Sequence, residues 1–204
     1  MTQTNPAPAF TLDDAARRAL FLDARSAIAF ADRPVDPEVV SRVWDLAKWG
    51  PTSQNTQPLR LVVAASQEAR SAVIAAAMPG NRPKLERAPL LVVAAHDDRF
   101  HDHHELTSPG FPEIHGRFES DPAGRGAIAH GGAMLQLGYV IVALRGEGLA
   151  VRPYGGIDRA ALTDALLPEH WRAEVVLGIG HPAPDHGAGE RKGRIPADTA
   201  VVTR

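Results

Sequence analysis

Histidine and carboxylate side chains are concentrated in one stretch of the chain. His96 and Asp98 form an HxD pair, which together with a distant histidine can bind iron. Further candidate ligands follow at His101, Asp102, His103, His104 and His115. Because these later residues lie in a region without an evident strand or helix to aim them at one point, we interpret the cluster as a solvated loop. No metal site is predicted, and a non-haem metal enzyme using His96 and Asp98 is kept as an alternative.

Motifs for other kinds of catalysis fit the chain poorly. The sequence Gly178-Ile179-Gly180-His181-Pro182-Ala183 matches the start of a dinucleotide-binding fingerprint. That fingerprint must open a helix, and the prolines that follow make a helix improbable. The chain has no cysteine, no GxSxG turn and no HExxH motif. Chemistry carried by a bound cofactor is therefore favoured.

The composition predicts one globular domain covering residues 1–204. The chain has 204 residues, 44% of them hydrophobic, and a net charge of −2 from 22 basic and 24 acidic residues. These values exclude a disordered chain and a polybasic nucleic-acid coat, and no membrane role is indicated. Residues 1–9 show no signal-peptide pattern and predict a loose arm. The absence of cysteine fits a cytoplasmic protein.

Local patterns predict alternating helices and strands. Thr11 and Asp14 suggest a capping box for a first helix, and Asp36 with Pro37 begins a second that ends at Gly50. Helices are also predicted over residues 66–77 and 158–167. Strands are predicted over residues 59–65, 90–95, 150–152 and 174–180. We expect an α/β (α+β) sandwich with a mixed central sheet flanked by helices.

Two longer segments have their own patterns. Residues 126–144 lack Asp, Glu, Lys and Arg, but this run contains His130, Gln136 and four glycines. We interpret it as a core helix, or one shared with a second subunit, and not as a membrane span. Residues 96–125 are polar and rich in proline and glycine, which predicts a lid-like excursion over the surface.

Several polar segments gain meaning together. The sequence LFLDARSAIAF…PV…KWGPTSQNTQP resembles the flavin-dependent nitroreductase family, in particular its malonic semialdehyde reductase branch. The resemblance extends from about residue 20 to residue 196. It implies a nitroreductase-like fold and a homodimer that holds FMN between its subunits, with NADH or NADPH as reductant. Ser53 and Asn55 match the polar turn that is contributed to the flavin of the other subunit.

The resemblance implies a phosphate site built from both ends of the chain. Arg25 and Ser26 match the arginine-containing entry that grips the flavin phosphate. Lys192 and Arg194 match the K-x-R-h-P segment that closes on it. Such charged groups suit a phosphate, because charge-assisted hydrogen bonds are about twice as strong as neutral ones. Ile28 departs from the family, where a second basic residue is usual.

The resemblance also assigns residues to the flavin ring. Asn81 and Lys84 match the N-x-x-K motif, which places Lys84 at the N1/O2 edge. An ammonium group there stabilises the charge of the reduced flavin electrostatically. Gly155 and Gly156 match the segment whose backbone faces N5, where the absence of a side chain permits close approach. A glutamate is common in the family at the position of Gly155, so substrate selection is expected to differ.

The resemblance implies an enzyme that uses NAD(P)H to reduce small carbonyl, nitro or quinone compounds by ping-pong hydride transfer. The branch suggests the reduction of malonic semialdehyde to 3-hydroxypropanoate. An alternative is a flavin-binding or flavin-handling protein on the same scaffold with little turnover.

Overall fold

A four-stranded sheet forms the centre of the protein in the computed structural model, which describes residues 11–184 and 190–204. The predicted loose arm, residues 1–9, lies outside the described residues. The strands are β1 (Leu59–Val63), β2 (Leu90–Asp97), β3 (Ala150–Tyr154) and β4 (Trp171–Gly180), in the spatial order β1-β2-β4-β3. The fold is an α+β sandwich, as expected.

The expectation of a mixed sheet is wrong for the described strands. Every pairing between them, β1 with β2, β2 with β4 and β3 with β4, is antiparallel. The helices between consecutive strands suggested parallel crossovers. Instead, the segment after β1 leads into the adjacent antiparallel strand β2, and the segment after β3 leads into the adjacent antiparallel strand β4.

The helices lie on both faces of the sheet and at its ends. A π-helical turn (Arg18–Leu22) extends the first helix, and 3₁₀ turns occupy Ser53–Asn55 and Phe100–His103. The α-helices are α1 (Asp14–Arg17), α2 (Val39–Ala47), α3 (Gln67–Ala76), α4 (Arg82–Glu86), α5 (His104–Thr107), α6 (Glu113–Ser120), α7 (Pro122–Gly146), α8 (Arg159–Leu166) and α9 (Ala197–Ala200).

Side-chain caps fix several helix starts where the sequence predicted them. The Ser66 hydroxyl accepts a 3.0 Å hydrogen bond from the main chain three residues on, and the Asp158 carboxylate accepts one of 3.0 Å in the same way. These bonds satisfy main-chain donors that have no partner within the helix. Asp36 accepts from the Glu38 N–H at 3.0 Å, although regular helix begins only at residue 39.

The predicted capping box of the first helix is wrong. The side chain of Asp13 accepts a 2.7 Å hydrogen bond from the N–H of Ala16 and is the cap. The helix therefore begins at Asp14, and Thr11 lies before its cap. Both patterns place an acidic residue in the first turn, which suits the positive end of the helix dipole.

Two hydrophobic cores lie on opposite faces of the sheet. One packs α2 and α7 against the sheet, and the other packs α3 and α8 against it. Strand β2 is buried along its whole length, and its successive residues alternate between the two cores. A strand covered on both faces has a continuous apolar sequence, which explains why this one was evident before the structure.

Helix α7 is long and apolar enough to cross a membrane by length and composition alone, with a mean hydropathy of 1.6. It packs against α2 and against β1, β2 and β3. Gln136, at its centre, is buried, and its Oε1 accepts a 3.1 Å hydrogen bond from the Leu59 N–H of β1. These contacts place one face of α7 in the core, but only 33% of its apolar 18-residue window is buried. Leu135 and Tyr139 on another face are each 47% exposed, so the expected core helix is found on one face only.

The segment predicted as an excursion over residues 96–125 contains more regular structure than expected. His96 and Asp97 extend β2, and Pro122 begins α7. Between them, Phe100 of the 3₁₀ turn and α6 pack against Ala129 of α7 in a small apolar cluster in which Ile114 and Phe118 are buried. The side chains of α6 gain a core only by packing on α7 and on the turn, so a local pattern could not reveal them.

Candidate functional site

A cationic cleft lies where the two ends of the chain meet. It has a volume of about 420 Å³ and brings five basic side chains together with one carboxylate. Four of the residues predicted for the phosphate site line it, two from each end of the chain. The lining residues are Arg25, Ser26, Ile28, Arg152, Glu190, Arg191, Lys192 and Arg194.

Main-chain and side-chain bonds hold the two chain ends in place. The N–H of Ala27 donates to the Val151 carbonyl of β3 at 3.1 Å, so the segment after Arg25 runs beside the sheet. Arg191 donates to the carbonyl of Leu22 and, at 3.1 Å, to that of Ala24. The C-terminal segment is thereby fixed next to the N-terminal one, which explains how residues more than 160 positions apart share a cleft.

Sequence reasoning missed two members of the cleft, Arg152 and Arg191. Arg152 donates to the Ala27 carbonyl at 3.1 Å and lies over the Tyr154 ring, with its guanidinium carbon 5.5 Å from the ring centre. The one clue was a charge inside an otherwise apolar strand. The two arginines add positive charge to a cleft in which Ile28 supplies none.

Burial keeps the phenol beneath this cleft neutral. Burial raises the pKa of Tyr154 above its usual value, and the positive charge of Arg152 partly opposes this rise. The aromatic face therefore supports the guanidinium without forming an ion pair with it. The positive charge of Arg152 remains available to an anion in the cleft.

Asn81 and Gly156, predicted for the flavin ring, form a second group outside the cationic cleft. The Asn81 side chain donates to the Gly156 carbonyl at 3.2 Å. A Cβ at Gly156 would lie 2.9 Å from the Asn81 nitrogen, whereas one at Gly155 would meet nothing within 4 Å. Lys84 is exposed on α4, one turn after Asn81. The structure thus brings Asn81 into contact with Gly156, which is next to Gly155 in the chain. Lys84 lies nearby on the surface.

Ser53 and Asn55 lie in a third place, on the 3₁₀ turn that follows α2. Gln54 and Asn55 have positive φ angles of 52° and 54°. The Asn55 side chain donates to the Thr107 carbonyl at 2.7 Å, and Ser108 donates to the Gln54 carbonyl at 2.6 Å. The turn is therefore tied to α5 and not to the cationic cleft of its own chain.

The HxD pair is part of a buried cluster and not of a solvated loop. His96 Nε2 and Asp98 Oδ1 are 3.1 Å apart, and His96 Nδ1 is 2.7 Å from Glu174 Oε1. His130 of α7 contacts the same Glu174 oxygen at 2.6 Å. The sequence prediction is wrong here because the partners of His96 come from α7 and β4, far along the chain.

The comparisons with known proteins agree with the architecture. The family model described as "Nitroreductase family" matches residues 23–181. A Streptomyces coelicolor protein named "Putative NADH dehydrogenase/NAD(P)H nitroreductase" is 40% identical over 184 residues, covering 90% of each chain.

Solved structures show the same fold at low sequence identity. A "putative nitroreductase" from Bacillus subtilis has a TM-score of 0.82 at 17% identity, over 93% of this chain and 99% of that one. One from Exiguobacterium sibiricum, solved in complex with FMN, has a TM-score of 0.80 at 19% identity, over 95% and 99% of the two chains. The solved structures show the fold, and the family model and the sequence relative show that this chain belongs to the nitroreductase family.

Proposed function

We propose that the protein is an FMN-dependent oxidoreductase that uses NADH or NADPH. The observation that carries this proposal is the cationic cleft, in which side chains from both chain ends converge. The phosphate of FMN carries nearly two negative charges at neutral pH, and guanidinium groups match its geometry. The donor set of the cleft therefore fits the cofactor, and relatives in the family are named as NAD(P)H nitroreductases.

Within this proposal, Arg25, Ser26, Lys192 and Arg194 hold the phosphate. Arg152 adds charge from the strand beneath and helps to orient the group. Each contributes a positive charge or a hydroxyl donor, and the bonds from Ala27 and Arg191 hold the two segments in place before the anion enters.

The ring site is proposed at the second group. Lys84 and Asn81 lie at the polar edge of the ring, where the ammonium group favours the reduced, more negative form. Gly155 and Gly156 let the main chain approach the reacting face. Bound FMN supplies hydride transfer from NAD(P)H to a second substrate that enters the same pocket in turn.

A homodimer completes the proposed site. Apolar side chains remain exposed on α2, on α7 and next to them: Leu46 at 57%, Trp49 at 81%, and Leu135 and Tyr139 at 47% each. Exposed large apolar side chains on two helices that pack together are typical of a subunit interface. Because Ser53 and Asn55 lie away from the cleft of their own chain, we expect them to contact the flavin held by the other subunit.

The substrates proposed are small carbonyl, nitro or quinone compounds. The KWGPTS resemblance favours malonic semialdehyde, which would be reduced to 3-hydroxypropanoate. Gly155 leaves space where the family commonly has a glutamate, so this side of the pocket accepts larger or more negative groups. A cytoplasmic location is proposed because NAD(P)H is supplied there and because α7 packs within the fold.

Anaerobic mixing of the FMN-reconstituted protein with NADPH, and separately with NADH, tests the function. We expect the flavin absorbance to bleach within a catalytic time and to return when an aldehyde, nitroarene or quinone is added. Flavin that stays oxidised with both reductants would support a flavin-binding protein with little turnover. Protein that stays colourless after incubation with FMN would contradict both functions.

A further inference from the structure

Three potential metal ligands from three separate elements meet at one point of the fold. His96 lies near the end of β2, His130 lies in α7 and Glu174 lies in β4. One ligand atom from each, an imidazole nitrogen or a carboxylate oxygen, lies within 4.8 Å of the other two. The Glu174 side chain is only 3% exposed, whereas that of His130 is 49% exposed. The trio is thus anchored inside the fold and reachable from solvent.

The carboxylate of Glu174 divides its two oxygens between different partners. Its Oε1 lies 2.7 Å from His96 Nδ1 and 2.6 Å from His130 Nδ1. Its Oε2 lies 3.2 Å from the Arg159 guanidinium. Because the arginine occupies the side of Oε2, Oε1 is the oxygen that is presented to both imidazoles.

The two nitrogens of His96 each face a carboxylate. Asp98 Oδ1 lies 3.1 Å from Nε2, and Asp98 is held in turn by Arg172, at 3.0 Å. A carboxylate on the distal nitrogen is the usual outer partner of a metal-bound histidine.

We propose that His96, His130 and Glu174 bind one divalent transition-metal ion, with Asp98 orienting His96. Two imidazoles and one carboxylate suit Zn²⁺ and similar ions, and not Mg²⁺ or Ca²⁺, which prefer oxygen ligands. Metal bonds of about 2.1 Å separate adjacent ligand atoms by about 3.0–3.4 Å. The ligand atoms must therefore move apart by a few tenths of an ångström when the metal binds, through a shift of the exposed His130 side chain and small rotations of the buried His96 and Glu174 side chains.

Open space lies next to two of the three proposed ligands. A cavity of about 510 Å³ is lined by His96 and Glu174 together with Arg159, Thr163, Asp164 and Arg172. Entry of the metal is expected from the side of His130, whose side chain is 49% exposed. Along β4, Glu174 lies four residues, or about 13 Å of extended strand, from Gly178, which pairs with Arg152 of the cationic cleft. Among the described residues, none of the three proposed ligands lines that cleft, and the metal proposal does not depend on the proposed function.

A second trio provides a matched comparison within the same chain. His101, His115 and Glu119 also present ligand atoms within 4.8 Å of one another. At Glu119, however, the oxygen that contacts His101 also lies 3.4 Å from Arg99 and 3.7 Å from Arg125. Two guanidinium groups on the ligating oxygen oppose a cation there. We expect this second trio to bind no metal.

Calorimetric titration of the chelator-treated full-length protein with zinc sulfate tests the proposal. One zinc ion per chain is expected. His130→Ala, a change at an exposed side chain, should weaken binding by more than about 100-fold, and Asp98→Asn by about 10- to 100-fold, as for outer-shell partners. His115→Ala should leave both affinity and stoichiometry unchanged. The Tm should rise with zinc in the parent protein and in His115→Ala but not in His130→Ala.

Three results would overturn the proposal. The first is that the parent protein binds no zinc at 100 µM metal, a concentration on the order of the weakest affinity that a specific site would show. The second is equal zinc binding by the parent and by His130→Ala. The third is that His115→Ala alone loses zinc binding. The first would mean that His96, His130 and Glu174 form a hydrogen-bonded cluster only. The others would place the bound metal elsewhere in the chain.

Discussion

Removal of the Arg25 guanidinium should weaken FMN binding without weakening riboflavin binding. Riboflavin lacks the phosphate, so it reports on every contact except those made to that group. Arg25 is half-buried in a cleft where, among the lining residues that the structure describes, basic side chains outnumber acidic ones five to one. We therefore expect Arg25→Ala to lower the affinity for FMN through the lost phosphate contact and to leave the affinity for riboflavin unchanged.

The expected change in the Kd for FMN depends on how deeply each arginine side chain is buried. A hydrogen bond to a charged group contributes about 1.5–3 kcal/mol, and each 1.4 kcal/mol is about tenfold in Kd. Arg25→Ala should thus raise the Kd for FMN by about 10- to 150-fold. Arg194 is exposed, where an ionic contact is worth about 0.5–1 kcal/mol, so Arg194→Ala should raise it about two- to fivefold.

Flavin fluorescence quenching on titration into apoprotein measures both ligands. Arg33→Ala serves as the control, because Arg33 is exposed and does not line the cleft. Added salt should weaken FMN binding more than riboflavin binding, since exposed charges are screened. Equal losses for FMN and riboflavin in Arg25→Ala, or no loss for either, would refute the assignment of this cleft to the phosphate.

Three further changes test separate parts of the structure. Gly155→Ala should leave the free energy of unfolding of the apoprotein within about 0.5 kcal/mol of the parent but weaken FMN binding. Gly156→Ala, whose Cβ meets a side chain at 2.9 Å, should lower both the free energy of unfolding and the affinity for FMN. Denaturant and FMN titrations that show equal effects for the two variants would contradict this. Leu135→Glu should yield monomers by sedimentation equilibrium, and an unchanged mass would contradict the proposed interface. A hydrogen bond from Arg99 lowers the pKa of Asp102 below 3.8, so this pair stabilises the fold above that pH. The contribution is lost as pH falls further, and Asp102→Asn should remove about 0.2–1 kcal/mol of the acid dependence of unfolding; an identical pH profile would contradict it.

The sequence predicted well those elements whose burial or capping depends on residues close together in the chain. Residues 90–95 of β2 are a continuous apolar run buried on both faces, so the strand was evident, whereas its polar end at His96 and Asp97 was not predicted. The caps at Ser66 and Asp158 are local hydrogen bonds and were predicted correctly. Helix α6 was missed because its apolar residues find a core only against α7.

The candidate site shows the same division. Arg25 and Arg194 were singled out from local motifs, and the fold brings them into one cleft. Arg152 was missed because its part in the cleft depends on where β3 lies beside the N-terminal segment. The burial of His96 was missed for a related reason, since Glu174, one of its partners, is 78 residues away in the chain. Contacts between distant segments carry no pattern in the sequence around either residue.

A crystal structure of the protein grown with FMN is the most direct measurement. We expect the phosphate to lie between Arg25 and Arg194, with the ring next to Gly156 and with Ser53 of a second subunit against it. A flavin phosphate bound outside this cleft, or a cleft that stays closed to FMN at saturating concentration, would contradict the proposed convergence of the two chain ends on the cofactor.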